Sequence, residues 1–129
     1  MATEKDLITC HVLDTTAGRP AGGISVRLQG PETRGQTNSA AHSYTAVTDA
    51  DGRVKRWQPA AGETTALGEA LRGGGPLSQW RLTFATEAYF GEGKTFFPEA
   101  VVVFRVEAGQ HYHVPLLLSP FTFTTYRGS

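Results

Sequence analysis

The sequence predicts an all-β sandwich of about eight strands with at most one short helix. Three observations indicate this fold class: short runs of apolar and β-branched residues alternate with polar ones, glycine and proline recur between the runs, and helical periodicity is almost absent. The length of 129 residues fits one domain that can bury a core. We therefore expect residues 1–129 to form a single domain.

The first half of the chain contains four candidate strands. Residues 7–14, LITCHVLD, are rich in β-branched residues and end at the turn-like run TTAGRPAGG, and residues 24–28 repeat the alternation. Residues 43–48 and 53–58 follow, separated by the run DADG. Because Asp-Gly favours the positive φ of a tight turn, these two strands are predicted to form a hairpin with Arg53 directly after the turn.

The second half of the chain adds four more strands. They lie at residues 80–86, 100–106, 111–118 and 121–127. The run AVVVFRV at 100–106 is apolar on both faces at its start, which indicates a buried central strand. Proline removes a hydrogen-bond donor from a strand, so Pro115 predicts a bend or bulge.

Two polar or glycine-rich segments separate the predicted strands. Residues 30–42 are predicted to form a surface loop. Residues 59–76 are rich in glycine, alanine and threonine, and we expect a loop insertion there with a marginal helical patch at 65–72. A further single helical turn is the most that the glycines of EAYFGEGK permit.

Composition excludes several classes of function. The chain is 40% hydrophobic and 19% charged with a formal net charge of zero, which indicates neither disorder nor a nucleic-acid-binding surface. Cys10 is the only cysteine, so an internal disulfide and a multi-cysteine metal site are excluded, and its position on the apolar face of its strand predicts a buried, inert thiol. No apolar run approaches the roughly 18 residues of a membrane span. We expect a soluble cytoplasmic protein, and a peroxisomal location stays open although a terminal Ser-Lys-Leu is absent.

Histidines are the first candidates for chemistry. His111 and His113 are two residues apart and share one face of their strand, while His11 lies on the less apolar face of the first strand. Such residues relay protons, bind metal or simply face solvent. One open alternative is therefore a zinc hydrolase with His11, His111 and His113 as ligands. Calcium is rejected, because the DADG run lacks the remaining ligands of a calcium loop.

Arg53 and the C-terminal residues are the remaining candidates. An arginine after Asp-Gly is ordinarily the first residue of a return strand, but it also offers a fixed fork of donors for an anionic substrate. A serine such as Ser129 is ordinarily inert at this position in a chain. The sequence contains neither a phosphate-binding loop nor a nucleophile elbow.

Four segments together resemble the transthyretin-like 5-hydroxyisourate hydrolases of purine catabolism. These segments are ITCHVLDTTAGRPA, TDADGR, HYHVPLLLSP and the terminal YRGS. The last is the most specific, because the hormone-carrying transthyretins share the sandwich but lack YRGS. The resemblance implies a transthyretin- or prealbumin-like sandwich that assembles as a homotetramer, a dimer of dimers with active sites in the channel between the dimers.

The same resemblance implies site residues and a reaction. His11, Arg53, His113 and Ser129 match the catalytic positions, and His11, Arg53 and Tyr126 match substrate-binding positions, with His111 as a secondary candidate. The implied reaction is hydrolysis of 5-hydroxyisourate to 2-oxo-4-hydroxy-4-carboxy-5-ureidoimidazoline by a histidine-activated water. It needs no metal, cofactor, nucleic acid or membrane.

Two questions stay open at this point. Either His113 or His11 would be the general base, with the other orienting water or substrate, and Arg53 would stabilise negative charge. The alternative function is a non-enzymatic carrier of small hydrophobic ligands on the same sandwich, because a fold alone does not separate carrier from enzyme.

Overall fold

A computed structural model describes residues 5–32 and 42–129, and within these ranges it contains ten strands and two helices. Most of the predicted loop at 30–42 therefore lies outside the described residues. The elements are β1 (Ile8–Asp14), β2 (Arg19–Pro20), β3 (Ser25–Gly30), β4 (His42–Val47), β5 (Arg53–Val54), β6 (Gln58–Pro59), α1 (Leu67–Gly73), β7 (Leu77–Phe84), α2 (Thr86–Phe90), β8 (Ala100–Glu107), β9 (Tyr112–Leu118) and β10 (Phe123–Thr125).

The strands form two sheets that enclose one core. The first sheet has the order β10-β9-β1-β2, with β5 also paired to β1, and the second has the order β6-β4-β3-β7-β8. Alternating residues point inward, so Ile8, Cys10 and Val12 are fully buried in β1, and Trp80 is fully buried in β7. The predicted all-β sandwich is confirmed, and so is the burial of the Cys10 thiol.

The predicted hairpin around Asp49 to Gly52 is wrong. β4 lies in the second sheet, whereas β5 pairs with β1 in the first, so the turn carries the chain from one sheet to the other. The Asp49 carboxylate accepts hydrogen bonds from the backbone N–H groups of Asp51 and Arg53, each at 2.9 Å. Gly52 has φ +75°, and a Cβ there would lie 2.3 Å from the Val12 carbonyl oxygen. The turn therefore presses closely on β1, and it fixes Arg53 at the start of β5.

Two expectations about individual strands are also corrected. β8 is the terminal strand of the second sheet rather than a central one, and Val101 and Val103 on its outer face are 38% and 46% exposed. The apolar run led to the wrong prediction because the sequence does not distinguish an exposed valine from a buried one. β9 pairs with β1 in continuous register through Pro115, without the expected bulge. Its pairing with β10 ends at Leu116 and Thr125, so the proline lies just beyond that ladder.

The two helices exceed the single short helix that the sequence predicts. α1 lies inside the predicted loop insertion and buries Leu67, Ala70 and Leu71, so part of this insertion belongs to the core. α2 is tied to the end of β1, where the Tyr89 hydroxyl donates to a carboxylate oxygen of Asp14 at 2.7 Å. Neither helix, nor any other in the described residues, has the length and hydropathy needed to span a membrane.

Candidate active site

A pocket of about 170 Å³ opens on the first sheet where β1, β5 and β9 lie side by side. Its walls come from the segment before β1, from these three strands and the residues directly beside them, and from Ser129. The lining residues are Lys5, Thr9, Cys10, Arg53, Val54, Lys55, His111, Tyr112, His113 and Ser129. Three of the four sequence-predicted catalytic residues thus line one cavity.

Strand register brings these residues together from distant parts of the chain. In the antiparallel pair of β1 and β5, His11 lies opposite Arg53. In the parallel pair of β1 and β9, Thr9 lies opposite His113. Because Thr9 and His11 are two residues apart in β1, they share the face opposite the buried Cys10 side chain.

His113 is half-buried and held by Thr9. The Thr9 hydroxyl lies 2.8 Å from His113 Nδ1, in a hydrogen bond that joins residues 104 positions apart in sequence. Burial lowers the pKa of His113 below 6.5, and electrostatic repulsion from Arg53, from His11 when that ring is protonated, and from Lys5 lowers this pKa further. The imidazole is therefore neutral around pH 7.

His11 stands beside the pocket rather than in its wall. Its Nε2 lies 2.9 Å from the backbone carbonyl oxygen of Asp51, in the turn that also fixes Arg53. The ring centroids of His11 and His113 are 6.4 Å apart. The two imidazoles are therefore neighbours at the edge of the pocket.

The C-terminal residues close the pocket against His113. The backbone N–H of Gly128 donates to the His113 carbonyl oxygen at 2.8 Å. A Cβ at Gly128 would lie 2.8 Å from His113 Cδ2 and 3.1 Å from Pro115 Cγ. Glycine at this position therefore lets the chain approach the imidazole closely and places Ser129 in the pocket wall.

Tyr126 lies outside this pocket. Its side chain is 56% exposed and lines a second cavity of about 520 Å³, between β8 and the strands β9 and β10. This cavity shares Tyr112 and His113 with the first, and the Arg127 guanidinium lies 4.8 Å from the Tyr112 ring centroid. Within one chain Tyr126 is not brought to Arg53, and its substrate-binding role stays a prediction.

His111 lines the pocket but is exposed and precedes β9. Within residues 5–32 and 42–129, no three histidine, cysteine, aspartate or glutamate side chains are grouped as metal ligands. This includes the three histidines of the zinc alternative.

Sequence reasoning missed several residues of the pocket, among them Thr9, Lys5 and Lys55. Thr9 carries a detectable signal, since it shares a strand face with His11 and comes just two residues earlier. The lysines carry none, because only the folded chain shows which surface cations converge. With Arg53 they make the pocket cationic, and no aspartate or glutamate is among its described lining residues. Cys10 also borders the pocket, but burial raises the pKa of its thiol to about 12, which leaves it protonated.

Comparisons with known proteins identify the family of this chain. Residues 8–128 match the model of the HIUase/Transthyretin family. The chain is 39% identical to the 5-hydroxyisourate hydrolase of Mus musculus, with all of both chains covered.

Two solved structures are similar over nearly the whole chain. Klebsiella pneumoniae 5-hydroxyisourate hydrolase superposes with a TM-score of 0.64 at 30% identity, covering 95% of this chain and 98% of the other. Sea bream transthyretin in complex with thyroxine superposes with a TM-score of 0.69 at 28% identity, covering 95% of each chain. With 121 of its residues spanned by the family model and an enzyme relative at 39% identity, the chain belongs to the HIUase/Transthyretin family.

Proposed function

We propose that this chain hydrolyses 5-hydroxyisourate in the degradation of uric acid. The observation that carries the proposal is the convergence of Arg53, His113 and Ser129 on one small polar pocket, with His11 beside it. Relatives that align with the full chain are named 5-hydroxyisourate hydrolase, and one aligned plant relative is named a uric acid degradation bifunctional protein. The pocket volume of about 170 Å³ lies below the roughly 300–1,000 Å³ of pockets that bind drug-sized ligands, which favours a compact heterocycle.

The reaction opens a cyclic amide between N1 and C6. A water molecule attacks C6 while a histidine accepts its proton, and negative charge develops on the carbonyl oxygen. Arg53 is placed to stabilise that charge, because its cationic side chain borders the pocket. Collapse of the tetrahedral intermediate breaks the C6–N1 bond and gives a carboxylate, which the cationic walls from Lys5 and Lys55 also favour.

A carrier of hydrophobic ligands is the second candidate function. The observation that favours it is the similarity to sea bream transthyretin, whose structure contains thyroxine. The walls of the pocket argue against it here, since three cations and two histidines are costly neighbours for an apolar ligand.

We also propose that the chain assembles as a homotetramer, a dimer of dimers. β10 and β8 are terminal strands of their sheets, and such edges commonly pair with another copy or are covered by it. The exposed valines of β8, Val101 and Val103, add an apolar surface beside one edge. Light scattering coupled to size-exclusion chromatography tests this proposal, and a mass of one chain, 13.9 kDa, would contradict it.

The activity is tested by following the ultraviolet absorbance of freshly generated 5-hydroxyisourate with and without the protein. We expect acceleration over spontaneous decay, and a loss of about 100-fold or more in kcat/KM for Arg53→Ala, since removing one oxyanion-stabilising group costs about 10²–10³. Arg27→Ala is the matched control, because Arg27 is an exposed arginine of β3 in the second sheet. Decay at the spontaneous rate with the wild-type protein would contradict the proposal and favour the carrier.

A further inference from the structure

We infer that His11 is the general base, acting through Nδ1, and that His113 is a neutral hydrogen-bond donor, acting through Nε2. Thr9 and the Asp51 carbonyl impose these roles by occupying the other nitrogen of each ring. The inference rests on the proposed hydrolase function, and it decides between two histidines that the sequence leaves equivalent.

The role of His11 follows from the chemistry of its partner. A backbone carbonyl oxygen accepts hydrogen bonds and never donates one. The 2.9 Å contact with the Asp51 oxygen therefore requires that His11 Nε2 carries the hydrogen. In a neutral imidazole only one nitrogen is protonated, so Nδ1 keeps its lone pair and accepts a proton.

The Asp51 carbonyl is itself well fixed. Asp51 lies in the turn where its own N–H and that of Arg53 both bind the Asp49 carboxylate. Gly52, next in the chain, packs against β1 with its N–H donating to the Asp49 carbonyl oxygen at 2.8 Å. The same turn thus sets the tautomer of His11 and the position of Arg53.

His113 leaves a hydrogen-bond donor free, whereas His11 leaves an acceptor free. Its Nδ1 lies 2.8 Å from the Thr9 hydroxyl, and Thr9 is only 7% exposed. Among the described residues, His113 Nδ1 is the one acceptor that the Thr9 side chain contacts, so the hydroxyl hydrogen points to it. The reverse arrangement would leave a buried hydroxyl hydrogen unbonded, which is unfavourable. His113 Nδ1 therefore accepts, and the hydrogen of the neutral ring resides on Nε2.

These two nitrogens divide the reaction between them. Water gives a proton to His11 Nδ1 as its oxygen bonds to C6, and the carbonyl electron pair moves to oxygen. His113 Nε2–H and Arg53 hydrogen-bond to that oxyanion, as a neutral histidine can when its protonation is disfavoured. When the C6–N1 bond breaks, the protonated His11 returns the proton to N1, and the new carboxylic acid ionises.

Substitution by glutamine separates the two roles, because a glutamine amide keeps a donor near the position of Nε2 but is no base. We expect His113→Gln to lose no more than about tenfold in kcat/KM, and His11→Gln to lose about 10²–10⁴, the usual contribution of general base catalysis. The reverse order would overturn the inference. If the wild-type protein itself is inactive, the hydrolase proposal fails instead.

Nitrogen NMR of ¹⁵N-histidine-labelled protein tests the tautomers without any substrate. The chain has four histidines, so single substitutions assign the signals. In the neutral form of each ring we expect both His11 and His113 to carry hydrogen on Nε2 and to have a bare Nδ1. A hydrogen on Nδ1 of His113 would overturn the inference even in an active enzyme.

Thr9 is a positioning residue in this scheme. Thr9→Val should change the ¹⁵N signal of His113 Nδ1 and lower kcat/KM about tenfold, and Thr9→Ser should restore both. Thr83→Val is the matched control, as a half-buried threonine of β7 in the other sheet. An unchanged Nδ1 signal in folded Thr9→Val would show that Thr9 does not hold this nitrogen.

Discussion

Replacing Gly128 by alanine tests whether close approach of the C-terminal residues to His113 matters for activity. The new Cβ would lie 2.8 Å from His113 Cδ2, about 0.7 Å inside the short end of normal carbon contacts near 3.5 Å. It would also lie 3.1 Å from Pro115 Cγ and 3.2 Å from the His113 carbonyl oxygen. The substituted residue therefore fits only if the Gly128 segment or its neighbours move.

The segment at Gly128 is expected to yield rather than the sheet. β9 is hydrogen-bonded to strands on both sides, whereas residues 126–129 follow the last strand and are largely exposed. The displaced segment loses the hydrogen bond from the Gly128 N–H to the His113 carbonyl, so the free energy of unfolding falls by only about 1 kcal/mol. Catalysis suffers more, because misplacing a group by about 1 Å can cost 100-fold in rate.

Initial rates of 5-hydroxyisourate decay and urea denaturation measure the two effects on the same samples. Gly73→Ala is the control, since a Cβ at Gly73 meets nothing within 4 Å. A Gly128→Ala protein with kcat/KM within about twofold of wild type would refute the claim that this contact places Ser129 and His113 for catalysis.

Three further predictions concern protonation and stability. Because the pKa of His113 is lowered in the folded state, the unfolded chain binds a proton there more readily, so the free energy of unfolding falls as pH drops from 6.5 through the lowered pKa. Urea denaturation at several pH values should show a weaker fall for His113→Gln. Arg81→Met removes the guanidinium that binds the buried Glu32 carboxylate at 2.6 Å. We expect the free energy of unfolding, measured by urea denaturation, to fall by about 3 kcal/mol while kcat is unchanged. A fall of less than about 1 kcal/mol would contradict this. Tyr89→Phe removes the 2.7 Å bond to Asp14 and should cost about 1 kcal/mol by thermal unfolding, whereas an unchanged Tm would show that this bond does not anchor α2.

Local patterns in the sequence are sufficient to predict which side chains of a strand face the core. Side-chain direction alternates with a period of two, so the run ITCHVLD alone places Cys10 inside and His11 with Thr9 on the opposite face. The quoted segments likewise indicate the family and draw attention to His11, Arg53, His113 and Ser129. These inferences need only neighbours in the chain.

The pairing between strands could not be predicted from the sequence. Asp-Gly predicts a turn, but whether the next strand pairs with β4 or crosses to β1 depends on which partner buries its apolar face, and here it crosses. The valines of β8 likewise do not reveal that the strand is terminal in its sheet.

The chemistry of the pocket depends on that pairing. The register of β1 against β9 brings Thr9 to His113, which is 104 positions away in sequence. The turn that leads from β4 to β5 supplies the Asp51 carbonyl that contacts His11. The sequence by itself therefore determined the fold class, which follows from local periodicity, and most of the candidate residues, which follow from the resemblance of four segments to a known family. Only the tertiary structure decided which nitrogen of each histidine is free, because that depends on atoms brought into contact by long-range strand pairing.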